Sequence, residues 1–193
     1  MHTMTVSPNL TSDNKVAKPL LWIGIASIVM FFAALTSAYI VSFNAGGWIK
    51  FELPSVFFVS TAIIILSSIT MLWSLWAVKK NNTKHLSFGL FLTLGLGIVF
   101  SICQFMGWQD LFQQEVVFSG PRSNAAGSFF YILTSLHLVH LLAGMIALII
   151  TLIKSLLGKY SNNQFLGVQL CSTYWHFLTI LWVYLLLFLI YIR

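Results

Sequence analysis

The sequence predicts an all-α fold, a polytopic membrane protein built as a bundle of five transmembrane helices. Of its 193 residues, 59% are hydrophobic and only 7% are charged, whereas an average soluble domain carries roughly 25% charged residues. Five apolar runs each exceed the roughly 20 residues that a helix needs to cross the hydrocarbon layer. Lysine and arginine concentrate on alternate connections between these runs. Together these observations predict that lipid surrounds most of the chain.

The chain is predicted to divide into a polar tail, residues 1–19, and a five-helix transmembrane domain, residues 20–193. The tail is rich in Ser, Thr and Asn and ends at Pro19, a residue that is favoured at the start of a helix. The first helix is expected at residues 20–43. This run is too long for the apolar core of a signal peptide, and no small-residue cleavage site closes it.

Four more helices follow, separated by connections rich in Gly, Asn and Pro, which mark helix ends. They are predicted at residues 54–78, 86–108, 126–153 and 165–192. Cys103 and Cys171 fall inside these runs, where they are expected to be small buried hydrophobic side chains rather than a disulfide. Gly89, Gly95 and Gly97 are expected to let neighbouring helices approach closely.

The distribution of basic residues predicts the orientation in the membrane. Seven of the ten lie on the side of the N-terminus: Lys15, Lys18, Lys79, Lys80, Lys84, Lys154 and Lys159. The other side holds Lys50, Arg122 and Arg193. Because basic loops stay in the cytoplasm, the N-terminus is expected to be cytoplasmic and the C-terminus periplasmic. The net charge of +6 is thus interpreted as a topology signal, not as a surface for nucleic acid.

The acidic residues argue against proton-coupled transport. Asp13, Glu52, Asp110 and Glu115 all lie outside the apolar runs, whereas pumps and ion-coupled transporters usually depend on a carboxylate within the membrane. The sequence also shows no pattern for nucleophilic catalysis, phosphate binding or nucleic-acid recognition. No catalytic residue is predicted in this chain.

Three histidines within the apolar runs are the remaining candidates for chemistry. His137 and His140 lie three apart and are expected to share a helix face, and His176 lies in the last helix. Imidazoles ligate copper, zinc or haem, so a stand-alone membrane cytochrome or metal-dependent enzyme is one alternative. The other is that they are neutral and form hydrogen bonds across helices. The second is favoured because no intramembrane carboxylate is available to orient metal ligands.

The third, fourth and fifth helices carry motifs of a known family. Residues 129–140, followed by Gly144, resemble the Phe-Phe…Thr-Gly-Phe-His-Gly-x-His-Val-x-x-Gly stretch of subunit III of haem–copper oxidases. Residues 174–177, with Trp182, resemble its Trp-His-Phe…Trp signature. Gln104 and Trp108 are similar to its Gln-x-x-Glu-aromatic ending. Residues 27–32 resemble its first-helix Ser-Glu-x-x-Phe-Phe segment, and the five-helix length resembles the short bacterial form.

The chain departs from the family pattern at four positions. Ile28 and Gly107 stand where the family has glutamates, and Thr179 stands where an acidic residue is often found. Leu138 replaces the glycine after the first histidine. Family proposals that use a buried carboxylate in this subunit therefore do not transfer to this chain.

The resemblance implies a non-redox accessory subunit of an aa3-type cytochrome c oxidase in the bacterial cytoplasmic membrane. It implies contacts with subunit I and subunit II, bound phospholipid, and no cofactor in this chain, with haem and copper held by partner subunits. A quinol oxidase or a nitric oxide reductase is the alternative complex, and a facilitator or channel is a less favoured reading. The candidate structural or lipid-binding residues are Gln104, Trp108, His137, His140, Trp175, His176 and Trp182, with no metal ligand among them.

Overall fold

The computed structural model describes residues 10–44, 54–114, 125–158, 160 and 165–192. This part of the chain contains five helices, each long and apolar enough to cross a membrane, which confirms the predicted fold class. They are α1 Leu10–Asn44, α2 Val56–Lys79, α3 Thr83–Gln113, α4 Ala125–Leu156 and α5 Leu166–Ile192.

Several helices extend beyond the apolar runs that predicted them. The expected start of the first helix after Pro19 was wrong, because α1 begins at Leu10 and contains this proline. A proline removes one backbone N–H from a helix, but the polar residues before it continue the helix beyond the apolar span.

At the turn between α2 and α3, the Asn82 side chain accepts a hydrogen bond from the His85 backbone N–H at 3.3 Å. This bond caps the N-terminus of α3.

Buried residues in the helices recur at alternating spacings of three and four. On α2 this spacing connects Phe57, Ser60, Ile64, Ser67, Met71, Ser74 and Val78, and Ala77 is also buried. The buried positions of α3 and α5 contain the same spacing. A repeat of seven residues is the pattern of helices that pack side by side with a left-handed crossing, in membrane bundles as in coiled coils.

The helices form a closed ring of four with a fifth helix outside it. Contacts join α2 to α3, α3 to α4, α4 to α5 and α5 back to α2, whereas α1 contacts α4 and α5. α1 buries a narrow stripe that includes Ile25, Phe32, Thr36 and Tyr39. We call α2–α5 the four-helix ring, and α1 packs against its outside through α4 and α5.

Candidate functional site

Two tryptophans on α5 bind α2 through their indole N–H groups. Trp175 Nε1 donates to Ser67 Oγ at 3.0 Å, and Trp182 Nε1 donates to Thr61 Oγ1 at 3.0 Å. Each indole is only 1% exposed. Because an indole nitrogen donates and does not accept, each needs an acceptor on the facing helix, and α2 supplies a hydroxyl. These bonds fix α5 against α2.

A third tryptophan joins α3 to α4. Trp108 Nε1 donates to Thr134 Oγ1 at 3.1 Å. The Tyr131 hydroxyl, one turn earlier on α4, donates to the backbone carbonyl of Trp108 at 3.3 Å. The pair of bonds runs in both directions between the same two helices, so it sets their register as well as their distance.

The threonine hydroxyls that accept these indole hydrogen bonds donate their own protons to backbone carbonyls of the same helix. Thr61 donates its hydroxyl proton to the Phe57 carbonyl at 2.7 Å, and Thr134 donates to the Phe130 carbonyl at 2.8 Å. A hydroxyl has one proton and two lone pairs. Once the proton is used within the helix, only the lone pairs face the neighbouring helix, where the indole N–H is.

Gln104 lies inside the four-helix ring and is 1% exposed. Its Nε2 donates to Ser60 Oγ on α2 at 3.1 Å, and Ser60 donates to the Phe57 carbonyl at 2.9 Å. The Gln104 Oε1 atom has no hydrogen-bond partner among the residues that the structure describes. The side chain therefore joins α3 to α2 through its NH₂ group alone.

His137 packs by its ring rather than by hydrogen bonds. It is 0% exposed, with the ring of Trp182 at 5.1 Å and that of Phe100 at 6.2 Å between centroids. Neither ring nitrogen has a hydrogen-bond partner within the described part of the chain. A direct hydrogen bond from this histidine to another helix is therefore not seen among the described residues.

The other two histidines differ from each other. His140 Nδ1 bonds the Leu136 carbonyl of its own helix at 2.7 Å. The centroid of its ring lies 5.7 Å from that of Phe32 on α1. His176 Nδ1 bonds Ser68 Oγ across the α5–α2 interface, as expected for a neutral imidazole in a bundle.

The three imidazoles do not converge on one centre. His137 faces two aromatic rings inside the four-helix ring, His140 faces α1, and His176 faces α2. Over the described ranges, no group of three or more His, Cys, Asp or Glu side chains could hold a metal ion. The three histidines therefore do not point to one position at which they could bind the same metal ion.

The acceptors on α2 were missed by sequence reasoning, although the chain carries a signal for them. Ser60, Ser67 and Ser74 recur every seven residues in a largely apolar helix, and Thr61 and Ser68 follow the first two. All but Ser74 form a hydrogen bond with a side chain of α3 or α5. A repeat of hydroxyls in phase with the buried face marks the helix that the tryptophans bind.

Glycines on α3 allow large rings to approach its backbone. A Cβ atom at Gly97 would lie 2.9 Å from Trp175 Cη2, and one at Gly107 would lie 2.6 Å from Phe57 Cζ. The prediction of close approach is confirmed for Gly97, and it was wrong for Gly95, where a Cβ would meet nothing within 4 Å.

These contacts define a polytopic helical membrane protein in which buried indole, hydroxyl, amide and imidazole groups join the helices. The family model described as cytochrome c oxidase subunit III matches residues 16–193. The chain belongs to the cytochrome c oxidase subunit III family.

Relatives from insects and bacteria share this similarity. The chain is 32% identical to cytochrome c oxidase subunit 3 of Spodoptera frugiperda over 138 residues, which covers 70% of the chain and 86% of the relative. It is 30% identical to a probable cytochrome c oxidase subunit 3 of Nocardia farcinica over 196 residues, covering 96% of the chain and 90% of the relative. Against the Drosophila yakuba subunit the identity is 33%, and the match spans 50% of that relative's length.

Proposed function

We propose that this chain is the non-redox accessory subunit III of an aerobic respiratory haem–copper oxidase of the aa3 type. The observation that carries the proposal is family membership over residues 16–193. In this role the chain stabilises the catalytic subunit I and binds structural lipid, while the complex reduces oxygen to water and translocates protons. Haem and copper belong to the partner subunits, and this chain is proposed to hold neither.

The surface of the bundle supports a role in assembly. Large apolar side chains are exposed on every helix, and on α1 they include Trp22, Ile23 and Met30, with Met30 74% exposed. In a membrane such faces contact lipid or another helical subunit. The four-helix ring beneath them is fixed by interhelical hydrogen bonds, so it offers a stable surface for subunits I and II.

A groove between α1, α4 and α5 supports lipid binding. Its volume is about 380 Å³, and its walls are largely apolar, with Leu21, Ile150 and Tyr174 contributed by the three helices. Lys154 and Tyr160 line it where α4 ends. Burial raises the pKa of the Tyr160 phenol, so this hydroxyl stays protonated and can donate. The apolar walls suit an acyl chain, and the ammonium group with the phenol suits a lipid phosphate.

The lipid proposal is tested at the lysine. Lys154→Gln removes the charge from the groove, and Lys79→Gln is the matched control because Lys79 is exposed at the same end of the bundle and does not line the groove. The expected result is loss of anionic phospholipid from the purified Lys154→Gln protein and retention in the control, measured by mass spectrometry. Equal lipid content in both variants contradicts this site.

The lysines support a cytoplasmic N-terminus and a bacterial cytoplasmic-membrane location. Lys18 of α1, Lys79, Lys80 and Lys84 at the α2–α3 turn, and Lys154 at the end of α4 lie at the same end of an up-and-down bundle. Basic residues at one end of a bundle favour the cytoplasmic side. A cysteine-labelling assay on intact cells tests this, since Lys80→Cys should be protected from a membrane-impermeant reagent.

Purification of the tagged chain from native membranes in mild detergent tests the main proposal. A reduced-minus-oxidised spectrum of the complex, and of the chain stripped from it, locates the haem. Haem and oxidase activity in the complex with none on the stripped chain support an accessory subunit, and activity with cytochrome c or quinol identifies the donor. Haem or copper on the chain alone overturns the proposal.

His140→Ala separates the structural from the redox role. The ring of His140 contacts Phe32, so its loss should loosen α1 and weaken subunit retention or oxidase durability, with an unchanged haem spectrum. Ile146→Ala is the control, because this α4 side chain is 60% exposed on the outside of the bundle. Loss of a haem band in His140→Ala would show that the histidine is a ligand.

A further inference from the structure

We propose that the interior of the four-helix ring binds one ordered water molecule, held between Gln104 on α3 and His137 on α4. The two side chains are 1% and 0% exposed. Three of their polar atoms, Gln104 Oε1 and both ring nitrogens of His137, have no hydrogen-bond partner within the described residues. Buried polar groups are bonded in the great majority of cases, and in a membrane interior an unpaired group is costly. The inference does not depend on the proposed oxidase role.

The orientation of the Gln104 amide follows from its neighbour. Ser60 gives its hydroxyl proton to the Phe57 carbonyl at 2.9 Å, so toward Gln104 it presents a lone pair. The amide must therefore turn its NH₂ group to Ser60, as the 3.1 Å bond shows. A flipped amide would place two acceptors against each other. Oε1 consequently faces away from Ser60 and needs a donor from elsewhere.

The register of α3 and α4 brings this oxygen level with His137. Phe100 contacts the His137 ring at 6.2 Å, and Trp108 bonds Thr134 at 3.1 Å. Gln104 lies one helical turn from both the buried Phe100 and the partly buried Trp108, along one side of α3. It therefore faces the turn of α4 between Thr134 and His137.

The hydroxyl groups that flank this position are not free to donate. Thr61 and Thr134 give their protons to backbone carbonyls at 2.7 and 2.8 Å. The Trp182 indole N–H is likewise used by Thr61 at 3.0 Å. These hydroxyl and indole groups therefore supply no donor to Gln104 Oε1.

A water molecule can supply this donor and also bond the imidazole. It donates one proton to Gln104 Oε1, and with its second proton or a lone pair it bonds a nitrogen of the neutral imidazole. Two to four polar partners are what a buried water requires. Trp182 packs against the His137 ring at a tilt of 35°, and Phe100 is nearly perpendicular to it. The water is expected in the plane of the imidazole, where the lone pair and the N–H of its nitrogens lie.

The decisive measurement is a cryo-electron microscopy map of the chain, purified from its native membranes with any subunits that accompany it, at a resolution that shows ordered water. The expected result is a density peak within hydrogen-bond distance of both Gln104 Oε1 and one His137 ring nitrogen. A map with no such peak, or with Oε1 bonded directly to the imidazole, overturns the proposal. This map needs no substitution, so it decides the question even where a variant fails to assemble.

Two variants extend the test. Gln104→Leu removes one of the two partners, and the peak should be lost. Thr179→Val is the matched control, because the Thr179 hydroxyl is buried but bonds the Trp175 carbonyl of its own helix at 3.1 Å, and the peak should remain. A peak that persists in Gln104→Leu would show that other groups hold the water and would overturn the assignment.

Discussion

Replacing Gly107 by alanine tests whether the packing of the four helices α2–α5 depends on the close approach of an aromatic side chain to α3. A Cβ atom at this position would lie 2.6, 2.9 and 3.0 Å from three carbons of the Phe57 ring. Phe57 is fully buried and packs against Phe130 and Trp182, with centroids 5.5 and 6.3 Å apart. The Phe57 side chain cannot move away from α3 without displacing these neighbours, so the substitution overpacks the α2–α3 interface.

The expected magnitude follows from two opposing terms. Alanine is favoured over glycine within a helix by about 1 kcal/mol, whereas overpacking a well-filled interior costs about 1–3 kcal/mol. Gly95→Ala, three turns away on α3, receives only the first term, because nothing lies within 4 Å of its Cβ. The free energies of unfolding of the two variants should therefore differ by about 1–3 kcal/mol, with Gly95→Ala the more stable.

The assay is denaturation of the purified protein in mixed micelles, followed by circular dichroism. Equal midpoints for Gly107→Ala and Gly95→Ala would refute the reasoning. A double variant sharpens the test, because Phe57→Leu removes the ring that the new methyl group meets. In that background Gly107→Ala should cost less than in the unmodified protein, since contacting residues are coupled. Additive effects would show that the cost arises elsewhere.

Two further predictions concern the interhelical bonds. Trp182→Phe keeps an aromatic ring but removes the donor to Thr61, and the lost bond should cost about 0.6–1.7 kcal/mol in the same assay, apart from the cost of the smaller ring. If Thr61→Ala removes the acceptor and yet leaves the effect of Trp182→Phe undiminished, the bond does not contribute. Ser68→Ala removes the hydroxyl that bonds His176. It should lower the free energy of unfolding by a similar amount, seen as a lower denaturation midpoint. An unchanged midpoint would mean that His176 is stabilised by its packing alone.

The existence and number of the helices could be predicted because lipid imposes a single requirement on the backbone. Each apolar run must satisfy its own hydrogen bonds to cross the hydrocarbon layer, so length and composition suffice. The ends could not be predicted in the same way. At Leu10 and at Gln113 the helices continue beyond the apolar side chains, since backbone hydrogen bonding does not stop where hydrophobicity does.

The candidate residues could be selected by chemical type, but their partners could not. Trp182 and Thr61 are 121 residues apart in sequence and meet only because α5 closes the ring against α2. Helix order around a bundle is not encoded by the apolar pattern of any one helix. The same limit applies to His140, whose Nδ1 atom bonds the Leu136 carbonyl on its own helix.

The three positions where the family resemblance places acidic residues are filled by groups that exchange no proton. At Gly107 the Phe57 ring occupies the space that a side chain would fill. Thr179 spends its hydroxyl proton on the Trp175 carbonyl at 3.1 Å, and Ile28 packs against the buried core of the bundle. A carboxylate added at Gly107 would meet an aromatic ring without a donor, so the absent glutamate is matched by the packing around it. An effect of this subunit on proton uptake by an oxidase would therefore act through subunit contacts or bound lipid, and not through exchange at these three positions.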